Sequence, residues 1–166
     1  MKILVPVDGS NASLAPIGHL VSMKRANVPL NVLLINVQPR FHKHISRFTT
    51  RTDRDALRAE RSAAAMASAI ASLSAAGIPY TAMTDTGLPA ERIAEVAERE
   101  SVDEVMIGTG RHPAWLRALN PSIAQGVMAR TDIPVSVFAR GKAGLFEKYA
   151  VPAGVAGAAA LILAGE

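Results

Sequence analysis

The sequence predicts an α/β protein in which a five-stranded parallel sheet carries helices on both faces. Three observations lead there. Short apolar runs of strand length alternate with longer runs of helical periodicity from residue 2 to residue 138. The first of these apolar runs is hydrophobic almost throughout, which suits a strand buried on both faces. Turn and capping residues separate the two kinds of segment, and strands alternating with helices of this length imply right-handed crossovers and two helical layers.

Residues 2–7, KILVPV, form the first strand, and Asp8-Gly9-Ser10-Asn11 follow as a turn with residues suited to capping a helix. Leu14, Ile17, Leu20 and Val21 recur at helical spacing. Residues 30–37, LNVLLINV, make the second strand, closed by Gln38-Pro39, and a basic and polar loop runs to about Thr52. Thr52 with Asp55 resembles a capping box for a long alanine-rich helix whose stripe is Leu57, Met66, Ile70 and Leu73 and whose stop is Gly77. Residues 78–84 alternate as a third strand. Pro89 opens a helix with Ile93, Val96 and Ala97 on its apolar face. Val102–Ile107, Ile123–Arg130 and Ile133–Phe138 complete the series as strand, helix and strand. No internal repeat and no second domain occurs before residue 140.

The chain has 166 residues, 49% of them hydrophobic, enough for one domain with a full core and some residues to spare. It contains no cysteine, which excludes disulfides, thiolate catalysis and Cys-type zinc sites. The start, MKILVPVDGS, has too short an apolar run for a signal peptide, so the expected location is the cytoplasm. Residues 40–61 carry seven basic and three acidic side chains, so this stretch alone matches the formal net charge of +4. It reads as a solvated surface or, more sharply, as a site for an anionic ligand, a protein partner or a membrane surface. Nucleic acid is disfavoured, because only Phe41 and Phe48 are aromatic there and no recognition motif is present.

With the VPVDGS start and the stretch 105–138, the chain resembles the universal stress protein family over residues 1–140. The resemblance implies a Rossmann-like or flavodoxin-like layered fold with strand order 3-2-1-4-5, usually assembled as a homodimer. In nucleotide-binding members of that family a G-x2-G-x9-G-[ST] loop surrounds the phosphates of ATP. Gly108 and Ser122 match the first glycine and the closing serine, whereas the other two glycines fall on Arg111 and Pro121. Arginine adds a side chain where the backbone must approach phosphate, and proline has no N–H to donate. Gly110 lies one residue early and could shift the turn. Ser122 with Gln125 forms a capping box, so a helix N-terminus still faces the expected pocket, and Arg111 or His112 could supply charge. The family's adenine-holding positions fall on Asp8 and about Val37. The resemblance thus implies an adenine nucleotide such as ATP bound by Asp8, Val37, Gly108, Gly110, Arg111, Ser122 and Ile123 through a degenerate phosphate loop.

Each of these residues also has a plainer reading. Asp8 could cap the first helix through Ser10-Asn11, and Gly108 could serve only the turn after its strand. Ser122 is a cap before it is anything else, and no G-x-S-x-G elbow makes it a nucleophile. His42 and His44 lie among arginines that disfavour a metal. Trp115 could cover the pocket, fill it or meet a partner. Residues 149–165 are uncharged, yet as a helix they would reach only about 25 Å, short of a bilayer core of about 30 Å. Pro152, Gly154 and Gly157 weaken that helix further. The extension 141–166 is therefore expected to pack on the domain or a partner, with membrane attachment as an alternative not favoured. The expected function is a homodimeric, non-catalytic stress-response module. The alternative is an interaction or regulatory module that binds no nucleotide and recruits a partner through the basic segment or the tail.

Overall fold

A computed structural model describes residues 1–39, 51–110 and 123–139. The elements are β1 (Lys2–Pro6), α1 (Ala15–Arg25), β2 (Asn31–Gln38), α2 (Arg51–Ala75), β3 (Tyr80–Thr86), α3 (Pro89–Arg99), β4 (Glu104–Thr109), α4 (Ile123–Met128) and β5 (Val135–Ala139). All strand pairs are parallel and the sheet has the order β3-β2-β1-β4-β5, as expected from the sequence. The chain therefore winds outward from β1 in both directions. Right-handed crossovers then put α1 and α2 on one face and α3 and α4 on the other.

The packing follows that division. Ile3, Val5 and Val7 of the first strand region point to one face, where they meet Val32, Leu34, Ile17, Leu20, Met66, Ala69 and Leu73. Leu4 points to the other and joins Leu33, Ile35, Ile93, Val96, Ala97, Val105 and Val127. Strands β1 and β2 are apolar on both faces because both faces are roofed by helices. The edge strand β3 is mostly exposed.

Three helices end in the same way. Asn27, Gly77 and Ser101 adopt positive φ of 59°, 62° and 50°. In each case the next residue is apolar and turns its N–H back: Val28 to the Met23 carbonyl, Ile78 to that of Leu73, and Val102 to that of Ala97. This is the Schellman arrangement, in which the apolar residue also caps the helix by packing. It explains a difference from the sequence reading. β3 and β4 each begin two residues later than their apolar runs do, because Ile78 and Val102 belong to helix caps, not to strands. The sequence also placed Thr52 as the cap of α2, whereas Thr52 lies inside the helix.

Gly77 has open space where a Cβ would stand, so its left-handed backbone is the only demand on that position. Ser101→Gly should raise stability, and Gly77→Ala should lower it, each by about 1 kcal/mol through backbone conformation alone. Urea denaturation midpoints of the two variants would show the opposite shifts.

Candidate functional site

At the carboxyl edge of the sheet the chain order reverses between β1 and β4, and α/β proteins hold ligands in the crevice such a reversal leaves. The site is built from the residues that leave those strands. β1 ends first. Val7 still donates its N–H to the Ile35 carbonyl at 2.8 Å, and Asp8 then emerges exposed.

Asp8 is set by a tight turn. Its Oδ1 accepts the Ser10 N–H at 2.9 Å, and the Asp8 N–H points to Ser13 Oγ at 3.4 Å. Ser13 Oγ donates in turn to the Ser10 carbonyl at 2.8 Å, while Ser10 Oγ accepts the Ser13 N–H at 3.2 Å. The expectation that Asp8 caps α1 through Ser10-Asn11 is thereby corrected. The N-cap of α1 is Leu14, with no side-chain hydrogen bond and Pro16 in its first turn. The polar residues bond one another because three residues separate Asn11 from the start of the helix and Ser13 closes the turn locally. Burial pushes the Asp8 carboxyl up, but the hydrogen bonds from Ser10 and Ser13 outweigh it and leave its pKa below the usual 3.8. At neutral pH Asp8 is thus a charged acceptor.

Val37 lies beside it. Asn31 donates to Met1 of the β1 side and the Ile35 carbonyl accepts from Val7, whereas Val32 and Gln38 bond across to Pro79 and Gly87 of the β3 side. Odd residues of β2 therefore turn their backbone groups toward β1. Val37 stands two residues past the last β1 pair, Pro6 with Ile35, so its backbone groups face the gap that Asp8 enters.

Gly108, near the end of β4, has a different reason to be glycine than phosphate approach. A Cβ there would stand 2.1 Å from the Ala12 carbonyl oxygen and 2.9 Å from Ser13 Cα. The β1–α1 loop lies directly across β4, and only a bare α-carbon admits it. Gly110 is exposed just past the strand, and Ile123, the first residue of α4, is 45% exposed at the same edge. Asp8, Val37, Gly108 and Gly110 are thus brought to one end of the sheet. Arg111 and Ser122 lie outside the described residues, as do His42, His44, Trp115, Pro121, residues 40–50, residue 140 and the extension 141–166.

Two clusters escaped the sequence reading. Asn36 is buried at 5% exposure and donates Nδ2 to the Val7 carbonyl at 2.7 Å. Its Oδ1 accepts from Gln38 Nε2 at 3.1 Å, and the same Nε2 reaches the Arg58 carbonyl of α2 at 2.8 Å. The signal for these was a pair of amides closing the otherwise apolar run LLINVQ. The second cluster lies beyond Val37, whose register partner is Asp85. Arg92 Nε donates to Asp85 Oδ2 at 2.9 Å, and the guanidinium also pairs with Glu95. Hydrogen bonding by Asp85 raises the Arg92 pKa above its usual value, so this charge is permanent. Among the described residues no group of three or more His, Cys, Asp or Glu could hold a metal, and no helix is long and apolar enough to cross a membrane.

A sequence model of the universal stress protein family matches residues 1–139. The chain belongs to that family. Solved structures of similar shape agree on the fold. The hypothetical protein MJ0577 superposes with a TM-score of 0.67 at 23% identity, over 85% of this chain and 96% of that one. A universal stress protein family protein from Arabidopsis thaliana with AMP bound gives 0.63 at 17% identity, over 86% and 93%. A universal stress protein in complex with cAMP gives 0.63 at 18% identity, over 82% and 95%. No individually curated protein matches this chain.

The depressed carboxyl of Asp8 in this universal stress protein has a consequence for acid stability. Its contribution is fully present above the ordinary value of 3.8 and is lost as pH falls through the lower folded value. Asp8→Asn should therefore lower the melting temperature near neutral pH and flatten its fall between about pH 5 and pH 2. Thermal melts of both proteins across that range would show it.

Proposed function

We propose that this universal stress protein is a non-catalytic, homodimeric stress-response module that binds an adenine nucleotide at the carboxyl edge of β1, β2 and β4. One observation carries the reading: an ionised, solvent-facing carboxylate stands at the exit of β1 beside the backbone of Val37, which is turned toward it. An adenine edge offers amino protons next to a ring-nitrogen acceptor, and a carboxylate beside backbone polar groups complements that pattern. AMP and cAMP in the two similar structures support the same ligand class.

The phosphate half is weaker by sequence. Arg111 and Pro121 replace two glycines of the family loop, so fewer backbone N–H groups are free to cradle a triphosphate. AMP is accordingly expected to bind nearly as well as ATP, and Gly110, Arg111, Ser122 and Ile123 are the loop residues assigned to the phosphate. No reaction is assigned, since phosphate hydrolysis needs a positioned water and usually a metal.

A second reading is favoured by one fact. Gly108 is fully accounted for by packing on Ala12, so it is not by itself a mark of a ligand. On that reading the site is closed and the chain is an interaction module, reached through the basic segment 40–61 or the extension.

Mass spectrometry of small molecules released from the purified protein, followed by calorimetric titration with AMP and ATP, decides between them. The nucleotide reading expects AMP binding that Asp8→Asn weakens about tenfold, the size of a lost charged hydrogen bond. Restoring Arg111→Gly and Pro121→Gly together should raise ATP affinity relative to AMP. An empty protein, with no heat from either nucleotide at about millimolar concentration, would leave the interaction module standing.

A further inference from the structure

We propose that Asn36 is a positioning residue that fixes Asp8 against the Val37 backbone and so makes the site select adenine over other purines. This rests on the nucleotide reading above and adds the element that gives it specificity. The two groups that face the base come from different strands, and beyond Pro6 and Ile35 no further β1–β2 residue pair joins them. Past that point the spacing needs another tie.

Asn36 supplies it from a position that touches both. It immediately precedes Val37 in β2, and its Nδ2 holds the carbonyl of Val7, the residue immediately before Asp8, at 2.7 Å. The amide cannot turn around. Its Oδ1 is occupied by Gln38 Nε2, and a flipped amide would set two acceptors against each other at Val7. Gln38 is itself anchored on the Arg58 carbonyl, so the residues on either side of Val37 are both tied down on the α2 face. Val37 points the other way, into the cluster with Ile35 and Met83. Its backbone is thus held from behind while its polar groups remain directed at the gap.

The selectivity follows from chemistry. Adenine presents an amino group where hypoxanthine presents a carbonyl, and hypoxanthine carries a proton on the neighbouring ring nitrogen. A carboxylate and a backbone held at fixed spacing match the first pattern and oppose the second. If the spacing relaxes, the carboxylate swings away, water enters, and the opposition to hypoxanthine is lost along with the attraction to adenine. Affinity for the shared ribose phosphate stays.

The experiment titrates the full chain with AMP and with inosine monophosphate and reads the ratio of the two affinities. Ser62→Ala serves as control, because Ser62 is buried in the same α2–sheet layer and hydrogen-bonds Thr84, with no hydrogen bond to Val7, Asn36 or Val37. The wild type and Ser62→Ala should share one preference for AMP, and Asn36→Ala should reduce that preference about tenfold or more. Should Asn36→Ala fail to fold, Gln38→Ala is read instead, and it should lower the ratio in the same direction by a smaller factor. An unchanged ratio in the folded Asn36 variant, or in Gln38→Ala where that replaces it, overturns the proposal while leaving nucleotide binding intact. A wild type that binds neither nucleotide overturns the nucleotide reading itself and this inference with it.

Discussion

Strand β1 is the shortest of the three central strands, and its chain has to leave the sheet through a narrow gap between two longer neighbours. Both sides of that gap are specified. On the β2 side the Val7 carbonyl would be left without its next strand partner, and leaving such a group unmet costs about 1–3 kcal/mol. The amide of Asn36 meets it. On the β4 side the loop presses the Ala12 carbonyl into the space a Cβ of residue 108 would fill. Asp8 sits between these two contacts, so its place is a consequence of how β1 exits. The crevice at the switch point is created by the topology, and the identity of what lines it by these two close approaches.

The same network divides α2 into two working halves. From Met66 through Ala69 to Leu73 the helix is held by apolar burial alone, which fixes how closely it packs but little about where it slides. Nearer the carboxyl edge of the sheet the contacts are polar: Gln38 to the Arg58 carbonyl, and Ser62 with Thr84. Hydrogen bonds are directional, so they set the register of the helix along β2 and β3. Since Gln38 is the last residue of β2, the residues of α2 before Arg58 extend past the sheet edge by about 10 Å. That overhang explains why the first turns of a long helix carry alternating charges and only half-buried side chains at Arg54 and Arg58. It also places part of the chain's positive charge at the carboxyl end of the sheet.

Much of this was legible in the residues. Apolar runs on both β1 and β2 announced a roofed sheet, and their alternation with helical segments gave the parallel arrangement. Asp8 and Gly108 could be placed at strand ends because such a position is a one-dimensional property, whereas Val37 was named only through the family resemblance. Strand starts were misplaced where Ile78 and Val102 close helices, since an apolar residue after a turn looks the same whether it ends one element or begins the next. The cap of α1 was misread for a related reason: Ser10 and Asn11 are good caps, but the chain takes three more residues before turning helical. Asn36 and Gln38 were invisible as a network because their partners, Val7 and Arg58, are main-chain carbonyls with no signature in sequence. Arg92 carried no sequence signal of its pairing, because its partner Asp85 stands on another element.

Gly108 alters how a degenerate phosphate loop should be weighed. A glycine-rich loop combines two demands that a motif does not separate: room for the protein's own backbone and room for a ligand. At Gly108 the first demand is complete, because Ala12 occupies the space whatever is bound. The fold would require that glycine even in a chain that had never met a phosphate. The exit of β1 is different again. Asp8 and Val37 are held by Ser10, Ser13 and Asn36, contacts that also satisfy the exit of β1 and the end of β2. On the nucleotide reading proposed above, the groups assigned to the base are therefore held by contacts that the sheet itself requires.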